Sequence, residues 1–215
     1  MRTPLIYQMT RYDCGPTTLV NALRFLYERE EIDPDLVRAV YARTLDDFDE
    51  DGGLGKLGTS HQAMRHVARY FTMYGKATGF PIEAAILRGA EASLAPGSAA
   101  FRMLEERGAG EGRRGTAAVI ARVWHGDNGH YLLLTGVRDG RVLAFDPFAE
   151  EAGDPGGAID GDVIREVAGM PFAANRSVDP LAFNRDVKAD YALKSAANAD
   201  PADPVGGELI VIRRL

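Results

Sequence analysis

The chain has 215 residues, 46% hydrophobic and 26% charged, enough to bury a real core, most simply as one domain over residues 1–215. A net charge of -6 and an isoelectric point near 5.3 argue against a surface built to neutralise phosphates or anionic lipid, so neither nucleic acid nor membrane is an expected partner. The opening MRTPLIYQMT has too short an apolar stretch for a signal peptide, no apolar run of 18 residues follows, and one cysteine forms no internal disulfide, which together fit a soluble chain in a reducing cytoplasm.

Residues 7–26, YQMTRYDCGPTTLVNALRFL, place that cysteine, Cys14, between Asp13 and a Gly-Pro pair, directly ahead of an apolar-periodic run. Leu19, Val20, Leu23, Phe25, Leu26 and Tyr27 recur at helical spacing, and no Gly or Pro interrupts residues 17–31. Pro16 sits where a first-turn proline is tolerated, so Cys14 falls at or just before a helix N-terminus, with Asp13 favoured as its cap. A second helix is expected after Asp33, with Pro34 at its first position, until the acidic, glycine-rich DDFDEDGGLGKLG breaks it. TSHQAMRHVARYFTMYG supplies a third, capped by Thr59 or Ser60 and closing at Gly75. A shorter helix is expected around PIEAAILRGAEASL.

From residue 116 the texture changes. TAAVIARVW, HYLLLTGV and RVLAFDPF are short β-rich runs separated by HGDNG and RDG, which is the turn chemistry of an antiparallel sheet. A further helix is expected near DVIREVAG, a surface loop over KSAANADPADPVGG, and a closing strand in ELIVIRRL. Helices first and strands second imply an α+β fold, with N-terminal helices packed on an antiparallel sheet.

A cysteine nucleophile needs a stabilised thiolate, an imidazole to take its proton and a polar group to orient that imidazole. Cys14 at a helix N-terminus meets the first need in principle, through unsatisfied backbone N–H groups and the positive end of the macrodipole. His130 opens one strand and Asp146 ends the next. Their pairing depends on the RDG turn. A two-residue Asp139-Gly140 loop sets Leu133 opposite Asp146 and puts His130 on the other side of the sheet. A three-residue loop with Gly140 in a bulge sets Leu132 opposite Asp146, making His130 and Asp146 diagonal neighbours about 7 Å apart at the backbone. A triad therefore predicts a bulged turn.

The segments Q-x-x-x-x-D-C-G-P (Gln8 to Pro16), G-T-S (Gly58 to Ser60), G-H-Y-L-L-L-T-G-V (Gly129 to Val137) and F-D-P (Phe145 to Pro147) resemble the bacteriocin-processing, double-glycine-leader cysteine peptidases, whose fold is similar to papain. Spacing, order and local context agree at four places, and the resemblance covers most of residues 5–150. It implies a papain-like peptidase hydrolysing a peptide or small amide substrate, with Cys14 as nucleophile, His130 as general acid/base, Asp146 orienting His130, and the amide of Gln8 holding the oxyanion. No cofactor is implied. The same scaffold also supports acyl transfer to an amine, or peptide binding without turnover, and both stay open here.

Other candidates are weaker. On composition alone a lone cysteine is a small buried apolar residue, and only the ordered set of Gln8, Cys14, His130 and Asp146 overturns that reading. His125 competes with His130 as base but lies in a turn, where an exposed polar residue is expected. His61 and His66 are five apart, not the spacing of a helical zinc pair. Asp47, Asp49, Asp51 and Gly52 copy half of a calcium loop, but its twelfth position is Gly58 rather than Glu. GAGEGRRG lacks the preceding strand of a phosphate cradle and reads as a linker. Most pocket side chains are expected from residues 76–115 and 150–206.

Overall fold

Apolar periodicity at the N-terminus produces three helices in the computed structural model, which describes residues 1–109, 115–148, 162–195, 197–198 and 207–215. They are α1 (Cys14–Leu26), α2 (Pro34–Arg43) and α3 (His61–Thr78). The Asp33 side chain caps α2 by accepting from Asp35 N, and Ser60 caps α3 by accepting from Ala63 N. α3 does not close at Gly75. It runs to Thr78 and is capped by Gly79 at φ 79°. Gly75 has a packing role instead: a Cβ there would lie 2.3 Å from the Ile82 carbonyl oxygen, so only glycine lets the helix pass this close to the next segment.

That next segment is a strand, β1 (Ile82–Arg88), and not the expected helix. Its Ala, Glu and Leu content favours helix locally, but the long apolar C-terminal strand β7 (Glu208–Arg214) pairs with it over seven residues. On its outer edge, the Thr72 hydroxyl of α3 donates to Ala84 O and accepts from Ala84 N, which closes part of an otherwise open edge. DVIREVAG likewise contributes a three-residue strand, β5 (Ile164–Glu166), because it pairs with β6 (Arg176–Val178) rather than folding on itself. Two helices were not foreseen: α4 (Ala99–Arg107), capped by Ser98 accepting from Phe101 N, and the one-turn α5 (Pro180–Phe183).

β2 (Ala117–His125), β3 (Asn128–Arg138) and β4 (Arg141–Phe145) form the expected central meander, and a short helix α5 (Pro180–Phe183) follows β6. The sheet order is β1-β7-β2-β3-β4-β6-β5, antiparallel throughout. The expected α+β architecture is therefore present. Both faces of the sheet are covered. Ala118, Ile120, Leu133, Ile210 and Ile212 pack with α1, α2 and α3, whereas Val119, Ala121, Leu132, Leu134, Leu209 and Val211 pack with α4 and with Phe183, Tyr191 and Leu193. Two buried faces explain why these strands read as continuous apolar runs rather than as alternating ones.

Residues 110–114 of GAGEGRRG, and residues 196 and 199–206 of KSAANADPADPVGG, lie outside the described residues. The described part of the second stretch is tied down: Lys194 N donates to Arg122 O, and Asn198 Oδ1 accepts from the Trp124 indole.

Candidate active site

Cys14 is the first residue of α1. One turn on, the Thr18 hydroxyl donates to Tyr131 O at 3.0 Å, which docks the start of the helix onto β3 beside His130. Gly15 makes this approach possible on the other side, since a Cβ there would fall 2.7 Å from the side chain of Thr59. Upstream, buried Asn21 of α1 both accepts from Ile6 N and donates to Ile6 O, and Gln8 N donates to Pro147 O. The N-terminal segment is thereby strapped along α1 to the residue after Asp146. Asp13 holds the N-cap position of α1, but its side chain makes no capping bond. Its carboxylate accepts from Met9 N, Thr10 N and the Thr10 hydroxyl, holding the turn that joins Gln8 to Cys14.

His130 and Asp146 share a face, but by a route other than the bulged turn. The turn is the tight one: Arg138 faces Arg141, with Asp139 at φ 52° and Gly140 at φ 72°, the positive dihedrals of a two-residue type I′ loop. The bulge sits inside the strand. Gly136 pairs with Leu143 and Leu134 with Ala144, so Thr135 is the extra residue. From there Leu133 faces Phe145, and continuation of the ladder puts Leu132 opposite Asp146, the register that the triad required. The end of α4 fixes the bulge, with Ala109 N donating to Thr135 O at 2.6 Å. Gly108 and Gly136 permit that contact, because a Cβ on either would lie within about 2.6 Å of backbone atoms of the other segment.

The resulting geometry is tight. His130 Nε2 donates to Asp146 Oδ1 at 2.7 Å, and the two side chains are almost wholly buried. Nδ1 is then the ring nitrogen left for Cys14, whose sulfur stands close enough to His130 to favour the protonated ring. Asp146 Oδ1 also accepts from Phe148 N at 2.9 Å, and its Oδ2 accepts from the Tyr191 hydroxyl at 2.6 Å. Burial pulls the His130 pKa down, but the Asp146 carboxylate and the Cys14 sulfur outweigh it and hold the imidazole above its ordinary value. Burial pushes Asp146 up, yet the imidazolium charge and the three donors hold it below the usual carboxylate range.

Cys14 and His130 open into a cleft of about 470 Å³ that Gln8 also lines. The Gln8 amide nitrogen donates to Thr10 O at 2.8 Å, which fixes the amide plane and leaves one N–H. The described cleft walls come from residues 8–14, 47–60 and 122–131 together with Phe148, and not from 76–115 or 162–195. His125 stands beside His130, ring centroids 5.6 Å apart, with Phe148 against both. The Asp146 carboxylate bonds the ring of His130 and so selects it over His125. The acidic loop uses its carboxylates locally: Asp46 accepts from Ser60 N and its hydroxyl, and Asp49 accepts from Gly53 N. Among the described residues no group of three His, Cys, Asp or Glu side chains is arranged to hold a metal, and no helix is long and apolar enough to cross a membrane.

Two residues at the site were not anticipated. Asn175 accepts from Asp146 N at 2.8 Å and donates to Asp146 O at 2.7 Å, and Tyr191 reaches the carboxylate itself. Both come from the segment after residue 150, where isolated polar and aromatic residues among turns give no periodic signal.

No protein-family model matches the chain, and no curated protein matches it. Among solved structures it is similar to a double glycine motif protease from an AMS/PCAT transporter in complex with the leader peptide, with 15% identity over 99% of this chain and 91% of that one and a TM-score of 0.40. It is also similar to the peptidase domain of Streptococcus ComA, a bifunctional ABC transporter involved in a quorum-sensing pathway, with 14% identity over 67% of this chain and 78% of that one and a TM-score of 0.37. A C39-like peptidase from Bacillus anthracis gives 14% identity over 98% and 94% of the two chains with a TM-score of 0.46. At such identities and scores, function must be argued from the side chains themselves.

Proposed function

We propose that this chain is a papain-like cysteine peptidase in which Cys14 is the nucleophile, His130 the acid/base and Asp146 the residue that orients the imidazole. The observation that supports this most directly is the 2.7 Å bond from His130 Nε2 to buried Asp146, which leaves Nδ1 for the sulfur at the mouth of an open cleft. Cys14 Sγ attacks the carbonyl carbon as the thiolate, its proton already held on His130 Nδ1. The C–N bond then breaks, the amine leaves with that proton, and water, deprotonated by His130, hydrolyses the thioester. The remaining Gln8 amide N–H and the Cys14 backbone N–H are the donors assigned to the oxyanion. The triad chemistry calls for no cofactor.

Alkylation by iodoacetamide, followed by mass spectrometry at Cys14, tests this reading. Rapid labelling of the folded protein is expected, falling about 10²-fold or more in His130→Ala. A pool of unstructured peptides should be cleaved by the wild type and left intact by Cys14→Ala, and added hydroxylamine separates hydrolysis from transfer to an amine. Equal labelling of wild type and His130→Ala, or labelling only in denaturant, overturns the proposal.

A further inference from the structure

We propose that Tyr191 is a positioning residue of the site: its hydroxyl fixes the second oxygen of Asp146 and thereby sets the orientation in which His130 faces Cys14. The inference rests on the triad reading above. It is carried by three observations on one residue. The hydroxyl donates to Asp146 Oδ2 at 2.6 Å inside the fold, while Oδ1 serves His130 and Phe148, so each carboxylate oxygen has its own donors. Tyr191 holds φ at 64°, a conformation uncommon for a bulky residue, and strain of this kind collects where a side chain must be aimed. The surrounding backbone imposes that conformation: Tyr191 N donates to Trp124 O and Trp124 N donates to Ala192 O, so the residue is pinned to the end of β2.

A carboxylate held by one oxygen alone can rotate about its last torsion and carry the imidazole with it. With both oxygens engaged, rotation breaks a bond on either side. Tyr191 suits this task because burial and the Asp146 charge both push its phenol well above the ordinary value, keeping it a donor throughout the working range. Among the described residues, the other ionisable groups near this carboxylate are His130, with Cys14 and His125 beyond it, Tyr7 through Asn175, and Arg176 beside Tyr191.

The test is Tyr191→Phe, which keeps the ring and removes only the hydroxyl, read by iodoacetamide alkylation of Cys14 across pH. Losing a hydrogen bond to a charged group should slow alkylation roughly 10-fold near neutrality. Because that bond lowers the Asp146 pKa, its loss should also move the acid limb of the profile to higher pH. A residue that only supports the fold would lower the melting temperature and leave the limb in place. An unchanged rate and limb in Tyr191→Phe, with His130→Ala still slowing the wild-type reaction, overturns this inference alone. If His130→Ala has no effect either, the triad reading fails and the inference with it. Should Tyr191→Phe melt well below the wild type, the profile taken at a temperature where the variant is folded decides the matter in the same way.

Discussion

Asp146 and His130 form a charged pair in a place where either charge alone is costly, and that makes the pair visible in the stability of the whole protein. The Asp146 carboxyl is held below its unfolded value, so its contribution is present above about pH 3.9 and is lost as pH falls through the folded value. The His130 imidazole is held above its unfolded value, so its contribution is complete below about pH 6.5 and is lost as pH rises through the folded value. The full contribution therefore lies between roughly pH 4 and pH 6.5. The double variant His130→Gln/Asp146→Asn removes both titrations while keeping hydrogen-bonding side chains. The difference in urea midpoint between wild type and this variant should be largest inside that window and shrink on both sides. A difference independent of pH means that the pair is not charged in the folded protein. At this scale the three residues proposed as the triad were legible in the sequence, because a lone cysteine at a helix start and an imidazole and a carboxylate on neighbouring strands are local features. Tyr191 and Asn175 were not, because what marks them is a contact and not a pattern.

Among the elements, the β3–β4 hairpin shows how a correct register can be reached from a wrong turn. Counting from Asp139-Gly140 alone puts His130 and Asp146 on opposite faces, and one extra residue is needed somewhere between them. The sequence shows that one residue is needed but not where, since Thr135 carries no bulge signature of its own. What places it is α4, through the bond from Ala109 N to Thr135 O, and α4 was itself unseen. The same cause underlies the misread β1: its partner β7 lies more than a hundred residues away, and pairing of that range overrides local preference. The bulge makes a sharp prediction. Deleting Thr135 removes only the extra residue and leaves Leu134 opposite Ala144 and Leu132 opposite Asp146, so His130-dependent alkylation should survive, with a melting temperature lowered by loss of the bond from Ala109 N to Thr135 O. Deleting Leu132 instead puts Tyr131 opposite Asp146 and turns His130 to the other face, so Cys14 alkylation should fall to the rate of His130→Ala. If deleting Leu132 leaves His130-dependent alkylation intact, register is not what brings His130 to Asp146.

Across the molecule, the closing strand is the keystone of the sheet. β7 lies between β1 and β2, and its alternate residues serve the two separate cores, Ile210 and Ile212 with α1 to α3 and Leu209 and Val211 with the α4 side. The first helices and the last strand thus depend on each other across nearly the whole sequence, a topology that delays folding until distant segments meet. Removing residues 208–215 withdraws four fully or almost fully buried aliphatic side chains, each of which costs about 2–5 kcal/mol when cut back to alanine in a core. It also strips the ladder bonds of β1 and of one edge of β2. That loss rivals the ~5–15 kcal/mol by which whole domains are stable. The shortened chain should therefore lose its melting transition altogether and show Cys14 alkylated at the rate of the urea-unfolded wild type, although every residue placed in the site is still present. A shortened chain that melts cooperatively and keeps its His130-dependent labelling would mean that β2, β3 and β4 with α1 hold the site without β7, and that the two cores are not joined through it.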